Sequence, residues 1–397
     1  MSSKHVTSES ILSTDDKSAF ISYYNQHSII PVSQDTDSPD FTFKRNSLYK
    51  LLGIPLTIFK GRTVLEFGPG GGYNALAIIR HNPSLYVFVD ASTASLDEIQ
   101  NKFDNNLFGQ TPIEITNCNI FDYKDDRKFD FVIIEGTVPG QNQPRVMLAH
   151  SASFVSVDGF LTTTTTTATS LVSEVCRRLF LPFFNARHDI FETRVLAAAN
   201  LFESHLGTLE TSTRPPRDWV LDSIFHPWPK RDKMCFSILD AIDALGDNFE
   251  FYGSSPTFLV DDRFYKKIGP RSASTNDLAK QQFSKLFRGM IDYRVPLLCE
   301  LISSTDDLEC EALCQELYDE HFLLLRDDNY NRIDKFVTKL ATLSKLLPED
   351  YNCTKRAIED FIENFPKLLD GAEIPNFAEF SKWWGRGQQY ASFIRSR

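Results

Sequence analysis

The stretch LEFGPGGGYNAL, residues 65–76, decides how the rest of the chain is read. It overlaps a compact apolar run, TVLEF (63–67), and leads into YNALAIIRHN (73–82), where apolar residues recur at helical spacing. Gly68, Gly70 and Gly72 therefore fall in a turn between a buried strand and a helix. Glycine suits such a turn because it takes backbone conformations that a side chain forbids, and because a ligand can lie against the bare backbone. The exposed N–H groups at the following helix start favour a carboxylate.

Outward from that turn the alternation continues. LYVFVD (85–90) is an apolar run ending in Asp90, and LDEIQNKF (96–103) is helical. IEITNCN (113–119) reads as a strand ending at Asn119, and FDFVIIEG (129–136) as a strand ending at Glu135. QPRVMLAHSASFV (143–155) and SLVSEVCRRLFLPFF (170–184) are helices, with the strand GFLTTTTTT (159–167) between them. Short apolar strands alternating with helices predict an α/β fold, a mostly parallel sheet with helices on both faces. The six threonines at 162–167 suit a strand because Thr is β-branched; a second reading has one face of hydroxyls lining a cleft.

A glycine triplet alone is weak evidence. The dinucleotide fingerprint G-x-G-x-x-G needs its third glycine five residues after the first, and Tyr73 stands there. The context carries more. Glu66, Asp90, Asn119 and Glu135 lie at the ends of four successive strands, and open α/β sheets bind ligands at those ends.

On these residues the chain resembles the class I S-adenosylmethionine-dependent methyltransferases, whose Rossmann-like sheet carries an E-x-G-x-G-x-G turn after the first strand. The resemblance covers roughly residues 60–170, and 249–262 more loosely. It implies S-adenosyl-L-methionine as cofactor. Glu66 would sit near the cofactor's amino group, with Gly68, Gly70 and Gly72 beneath its methionine part. Asp90 would accept from both ribose hydroxyls, each such bond contributing about 1.5–3 kcal/mol. Asn119, where the family often carries Asp, would meet the adenine amine, and Ile120 the adenine face. Glu135 would lie close to the transferred methyl group.

Methyl transfer of this kind asks the protein to align the acceptor and exclude water. A hydroxyl or ammonium acceptor also needs a base. Glu135, His150, His188 and His226 are candidates, of which Glu135 and His226 are the catalytic expectations. Each histidine by itself is more ordinarily structural. His226 lies in FHPWP, a proline-stiffened aromatic segment whose Phe225 and Trp228 suit either an apolar acceptor site or a core. EGTVPG (135–140) lacks the Asn/Asp-Pro-Pro-Tyr/Phe signature that resembling enzymes use on amide or base nitrogens. No metal is expected: Cys310, Cys314 and His321 form no C-x-x-C-type set and read as buried helix residues.

The remaining expectations concern organisation and partners. Residues 1–45 read as a polar lead-in with a short helix near 16–25, and 46–273 as the cofactor-binding domain, with a helical insertion at about 185–248. FEFYG (249–253) and PTFLVDD (256–262) read as a closing strand pair, and 274–397 as an all-helical C-terminal domain, its tail SKWWGRGQQYASFIRSR packed on the rest. A net charge of -11 disfavours nucleic acid. No apolar run is long enough for a membrane span or a secretory signal, and seven cysteines suit reduced thiols in the cytoplasm. The acceptor is expected to be a small molecule or glycan. A protein acceptor docked on the C-terminal helices, or a silent cofactor-binding scaffold, are the alternatives, and the helical regions also offer a homodimer interface.

Overall fold

A computed structural model describes residues 19–27, 29–30, 34–210, 214–227, 235–261, 274–297, 304–326, 330, 332–369 and 377–396. Among the described residues, seven strands form one sheet: β1 (Thr63–Phe67), β2 (Leu85–Asp90), β3 (Ile113–Asn117), β4 (Phe129–Ile134), β5 (Val155–Thr165), β6 (Phe249–Ser255) and β7 (Gln389–Arg395). Their order is β3-β2-β1-β4-β5-β7-β6. The pairs among β1 to β5 are parallel, whereas β7 is antiparallel to both neighbours.

Among the described residues, fourteen α-helices accompany the sheet. The first six are α1 (Ala19–His27), α2 (Pro39–Leu51), α3 (Ala75–Ile79), α4 (Thr93–Asp104), α5 (Pro144–Ala152) and α6 (Ala168–Arg178). Then come α7 (Leu181–Arg187), α8 (Phe191–Leu206), α9 (Pro216–Val220) and α10 (Ile238–Leu245). The last are α11 (Thr275–Phe283), α12 (Ser304–Arg326), α13 (Ile333–Leu346) and α14 (Asn352–Leu369). Local sequence starts several of them. Ser38 caps α2 ahead of Pro39, Ser92 caps α4, and Thr167 with Ser170 forms a reciprocal capping box on α6.

Side chains alternate across the sheet with a period of two. Val64, Tyr86, Phe88 and Phe131 pack on one face with Phe41, Tyr49 and Leu76. Leu65, Phe67, Val87 and Val132 pack on the other with Leu148, Ile242 and Phe283. A third apolar body is helical. It joins Val172, Phe180 and Phe202 to Ile358, Phe361 and Trp383, so residues on either side of β6 share one core.

The mostly parallel sheet between helical layers, followed by a helix-rich C-terminal region, is the arrangement expected from the sequence, but that region is not all-helical as expected. Two details differ. Residues 256–261 form no strand; Phe258 is buried in the core without pairing, and β6 pairs with β7 instead. The C-terminal tail is itself that strand, inserted between β5 and β6, because Ala391 and Phe393 bury in the sheet core. The boundary expected near 273 lies outside the described residues.

Candidate functional site

The strand order reverses between β1 and β4, and ligands in open α/β sheets bind beyond the strand ends at such a switch point. A cavity of about 520 Å³ opens there. Glu66, Gly68, Gly70, Asp90, Asn119, Ile120, Glu135 and His226 all line it. Gly72 does not; a Cβ on it would stand 2.9 Å from Ile99 Cγ1, so it serves the packing of the turn on α4. Gly68, Gly70 and Gly72 have φ of +64°, +56° and +70°, the left-handed region that disfavours side chains. A Cβ on Gly68 would also collide with Thr137 Oγ1 in the loop after β4.

The two carboxylates flanking the glycine turn are buried without an ion-pair partner among the described residues. Tyr86 donates its hydroxyl to Glu66 Oε2 at 2.6 Å. Burial raises the Glu66 carboxyl to about 7, against the pull of the Tyr86 bond. Asp90 accepts from the Ser92 N–H at 2.8 Å, and the Gly70 and Ala91 N–H groups also bond it. Burial still raises it to about 6. Asn119 precedes a 3-10 turn, Ile120–Asp122, and its Oδ1 accepts from the Phe121 N–H at 3.0 Å.

Glu135 is engaged differently. Arg45 donates to it from α2 at 3.0 Å, and Tyr49 one turn later donates at 2.9 Å. Both of its oxygens are thus taken up by donors from α2. His226 is a weak base, because burial, aided by Arg178, lowers it to about 3. Its ring lies against those of Tyr23 and Tyr24, with centroids 6.0 and 5.7 Å away.

The other sequence candidates fall elsewhere. His150 packs edge-on against Phe154, and neither it nor His188 lines the cavity. Phe225 packs on Phe184 and Phe191, while Trp228 lies outside the described residues. Cys310, Cys314 and His321 are buried, and among the described residues no group of three or more His, Cys, Asp or Glu could hold a metal. Of the threonine run, Thr166 lines the cavity, while Thr164 Oγ1 accepts from the Gly136 N–H at 2.8 Å.

Sequence reasoning missed the opposite wall. Tyr24 of α1, Glu174 of α6, Trp219 of α9 and Tyr318 of α12 line the cavity, as does Tyr390 of β7. Arg214 and Asp222, an ion pair, line it too. These residues span most of the chain and no local pattern joins them.

No family model and no curated protein matches the chain. Among solved structures, N-methyltransferase NodS from Bradyrhizobium japonicum in complex with S-adenosyl-L-homocysteine is similar over 32% of this chain and 63% of its own, at 14% identity and a TM-score of 0.28. PKMT2 from Rickettsia typhi in complex with AdoHcy is similar over 62% of this chain and 48% of its own, at 16% identity and a TM-score of 0.37. The [4+2]-cyclase SpnF is similar over 36% and 55%, at 13% identity and a TM-score of 0.29. This chain thus matches between 48% and 63% of the length of these three proteins. Fold alone leaves activity open. By its own strand order and glycine turn, the chain has the fold of the class I S-adenosylmethionine-dependent methyltransferases.

Proposed function

We propose that this chain binds S-adenosyl-L-methionine at the β1/β4 switch point and transfers its methyl group to a small molecule, or to the end of a glycan, in the same cavity. The observation that supports this most is the pair of buried carboxylates, Glu66 and Asp90, beside the glycine turn with no ion pair among the described residues. Leaving a carboxylate buried without compensation is costly, so such a site suits a ligand bringing an ammonium and hydroxyl donors. The cofactor has both.

In this reading Glu66 takes the amino group, Gly68 and Gly70 pass beneath the methionine part, and Asp90 accepts from the ribose hydroxyls. Asn119 and Ile120 meet the adenine. Gly72 shapes the turn rather than touching the ligand. The sulfonium, when bound, supplies a methyl carbon with a good leaving group already attached. The residues of this chain align the acceptor and keep water out. Glu135 acts by holding Arg45 and Tyr49 as a wall, and His226 as a neutral wall, rather than either as a base. A cavity lined from α1, α9 and α12 as well as from the strand ends favours a small acceptor over a protein surface.

The six cysteines among the described residues are all free, which suits a reducing cytoplasm, and no described helix is long and apolar enough to cross a membrane. Calorimetric titration with S-adenosylmethionine and S-adenosylhomocysteine tests the reading. Micromolar binding of both is expected; no binding of either to folded protein overturns it.

A further inference from the structure

The cavity does not end at the residues assigned to the cofactor. It continues against helices, where its wall carries the aromatic rings of Tyr24, Trp219 and Tyr318. These rings are anchored: Trp219 packs edge-on against Phe202 and Trp384, and Tyr318 stacks on Phe322. Tyr24 lines the same cavity as Asp90 and Arg214 and feels the charge of both.

The charges on this wall are unequal. Arg214 and Asp222 pair with each other and cancel. Glu174, on the second turn of α6, has no ion pair among the described residues; its bond is from the neighbouring Ser173 hydroxyl at 2.7 Å. Burial raises its carboxyl. Arg177 exerts some field on it, but the guanidinium donates to His205 and to the Ser173, Phe380 and Ser381 carbonyls, and lies over the Trp384 ring. Glu174 is therefore a carboxylate without an ion pair among the described residues, in the wall of a cavity bordered by aromatic rings. That combination suits an organic cation, whose charge meets the carboxylate while the ring faces attract it as well.

We propose that this half of the cavity is the acceptor subsite and that it selects an amine, its ammonium group against Glu174 and its apolar body along Tyr24, Trp219 and Tyr318. The ammonium gives one proton to the Glu174 carboxylate, the freed nitrogen bonds the methyl carbon as the carbon–sulfur bond breaks, and the sulfur keeps that electron pair as S-adenosylhomocysteine leaves. This rests on the cofactor reading above, since an acceptor needs a donor beside it. Neutral alcohols lack the charge, and carboxylates would be repelled.

The probes are benzylamine, benzyl alcohol and benzoate, three ligands of similar shape and different charge, followed by ligand-observed NMR titration at neutral pH. Each is titrated with and without saturating S-adenosylhomocysteine. The wild-type protein is expected to bind the amine at least tenfold more tightly than either of the others. Glu174→Gln should lose that preference, and Glu174→Asp should keep most of it, with both variants checked for unchanged melting. Equal binding of amine and alcohol by the wild type, or an undiminished preference in folded Glu174→Gln, overturns the proposal. If S-adenosylhomocysteine fails to bind while the amine preference persists, the cofactor reading falls and the cation site stands.

Discussion

The Arg45 guanidinium donates to both oxygens of Glu135, at 3.0 and 3.3 Å, joining α2 to the end of β4 deep in the protein. Both side chains are nearly inaccessible to solvent. Removing one member of such a pair strands the other charge, at about 3–5 kcal/mol, whereas replacing both with apolar residues is far milder. Arg45→Met should therefore lower the urea-unfolding free energy by about that amount, and Arg45→Met with Glu135→Leu should recover much of the loss. A double variant as unstable as the sum of the two single variants would deny the coupling.

Glu66 makes a pH-dependent prediction. Its folded value of about 7 lies above the ordinary carboxylate range near 4. Between those values the folded state holds a proton that the unfolded chain has released, so this group's contribution to stability is full at low pH and declines as pH rises through about 7. Buried histidines with lowered values, such as His226, act in the opposite sense, so the comparison must be made between variants. Relative to wild type, Glu66→Gln should gain stability from pH 5 to pH 8. Cofactor affinity should move the other way, rising with pH in the wild type as Glu66 ionises and rising less in Glu66→Gln. Melting scans and calorimetry across that range read both; parallel profiles for the two proteins would contradict the prediction.

Asp90 separates binding from folding. It accepts from the Ser92 N–H and its neighbours, and it faces the cavity where a ribose would lie. Asp90→Ala should weaken S-adenosylhomocysteine binding about tenfold or more, the loss of about one charged hydrogen bond. Unchanged affinity in a folded variant would remove Asp90 from the site.

The parts of this molecule written locally were legible in the sequence. β1, β2, β4 and β5 are apolar runs, and the polar residues at their ends reach one cavity because parallel strands of one sheet point their ends the same way. What was not legible depended on distant pairing. Glu135 looks like a free acid until α2 brings Arg45 and Tyr49 to it. PTFLVDD has the composition of a strand, but QYASFIR takes the place beside β6. Glu174 sits in an ordinary amphipathic helix, and only the packing of α6 on α12 sets it in the wall of a cavity that Tyr318 also lines.

Gly68 and Gly72 should respond differently to alanine. Both have positive φ, so each substitution costs about 1–2 kcal/mol in backbone strain alone. At Gly72 the new methyl meets Ile99 away from the cavity, and melting should fall while cofactor affinity changes little. At Gly68 it meets Thr137 at the cavity wall, and both melting and affinity should fall. Melting temperature and calorimetric Kd measured together distinguish the two; equal loss of affinity in both variants would put Gly72 back against the ligand.

The last strand carries the final prediction. β7 lies inside the sheet, with Leu161 opposite Phe393 on one side and Phe251 opposite Phe393 on the other. Its removal exposes the backbone edges of β5 and β6 and empties the space filled by Ala391 and Phe393. It also takes Tyr390 from the cavity wall. A chain ending at residue 388 should therefore lose cooperative unfolding or aggregate, even though the glycine turn and all four strand-end residues remain in its sequence. Circular dichroism melting beside size-exclusion chromatography reads the outcome. A monomeric truncated chain that melts like the full chain and still binds S-adenosylhomocysteine would show that β7 is dispensable, and that the parallel strands alone hold the site.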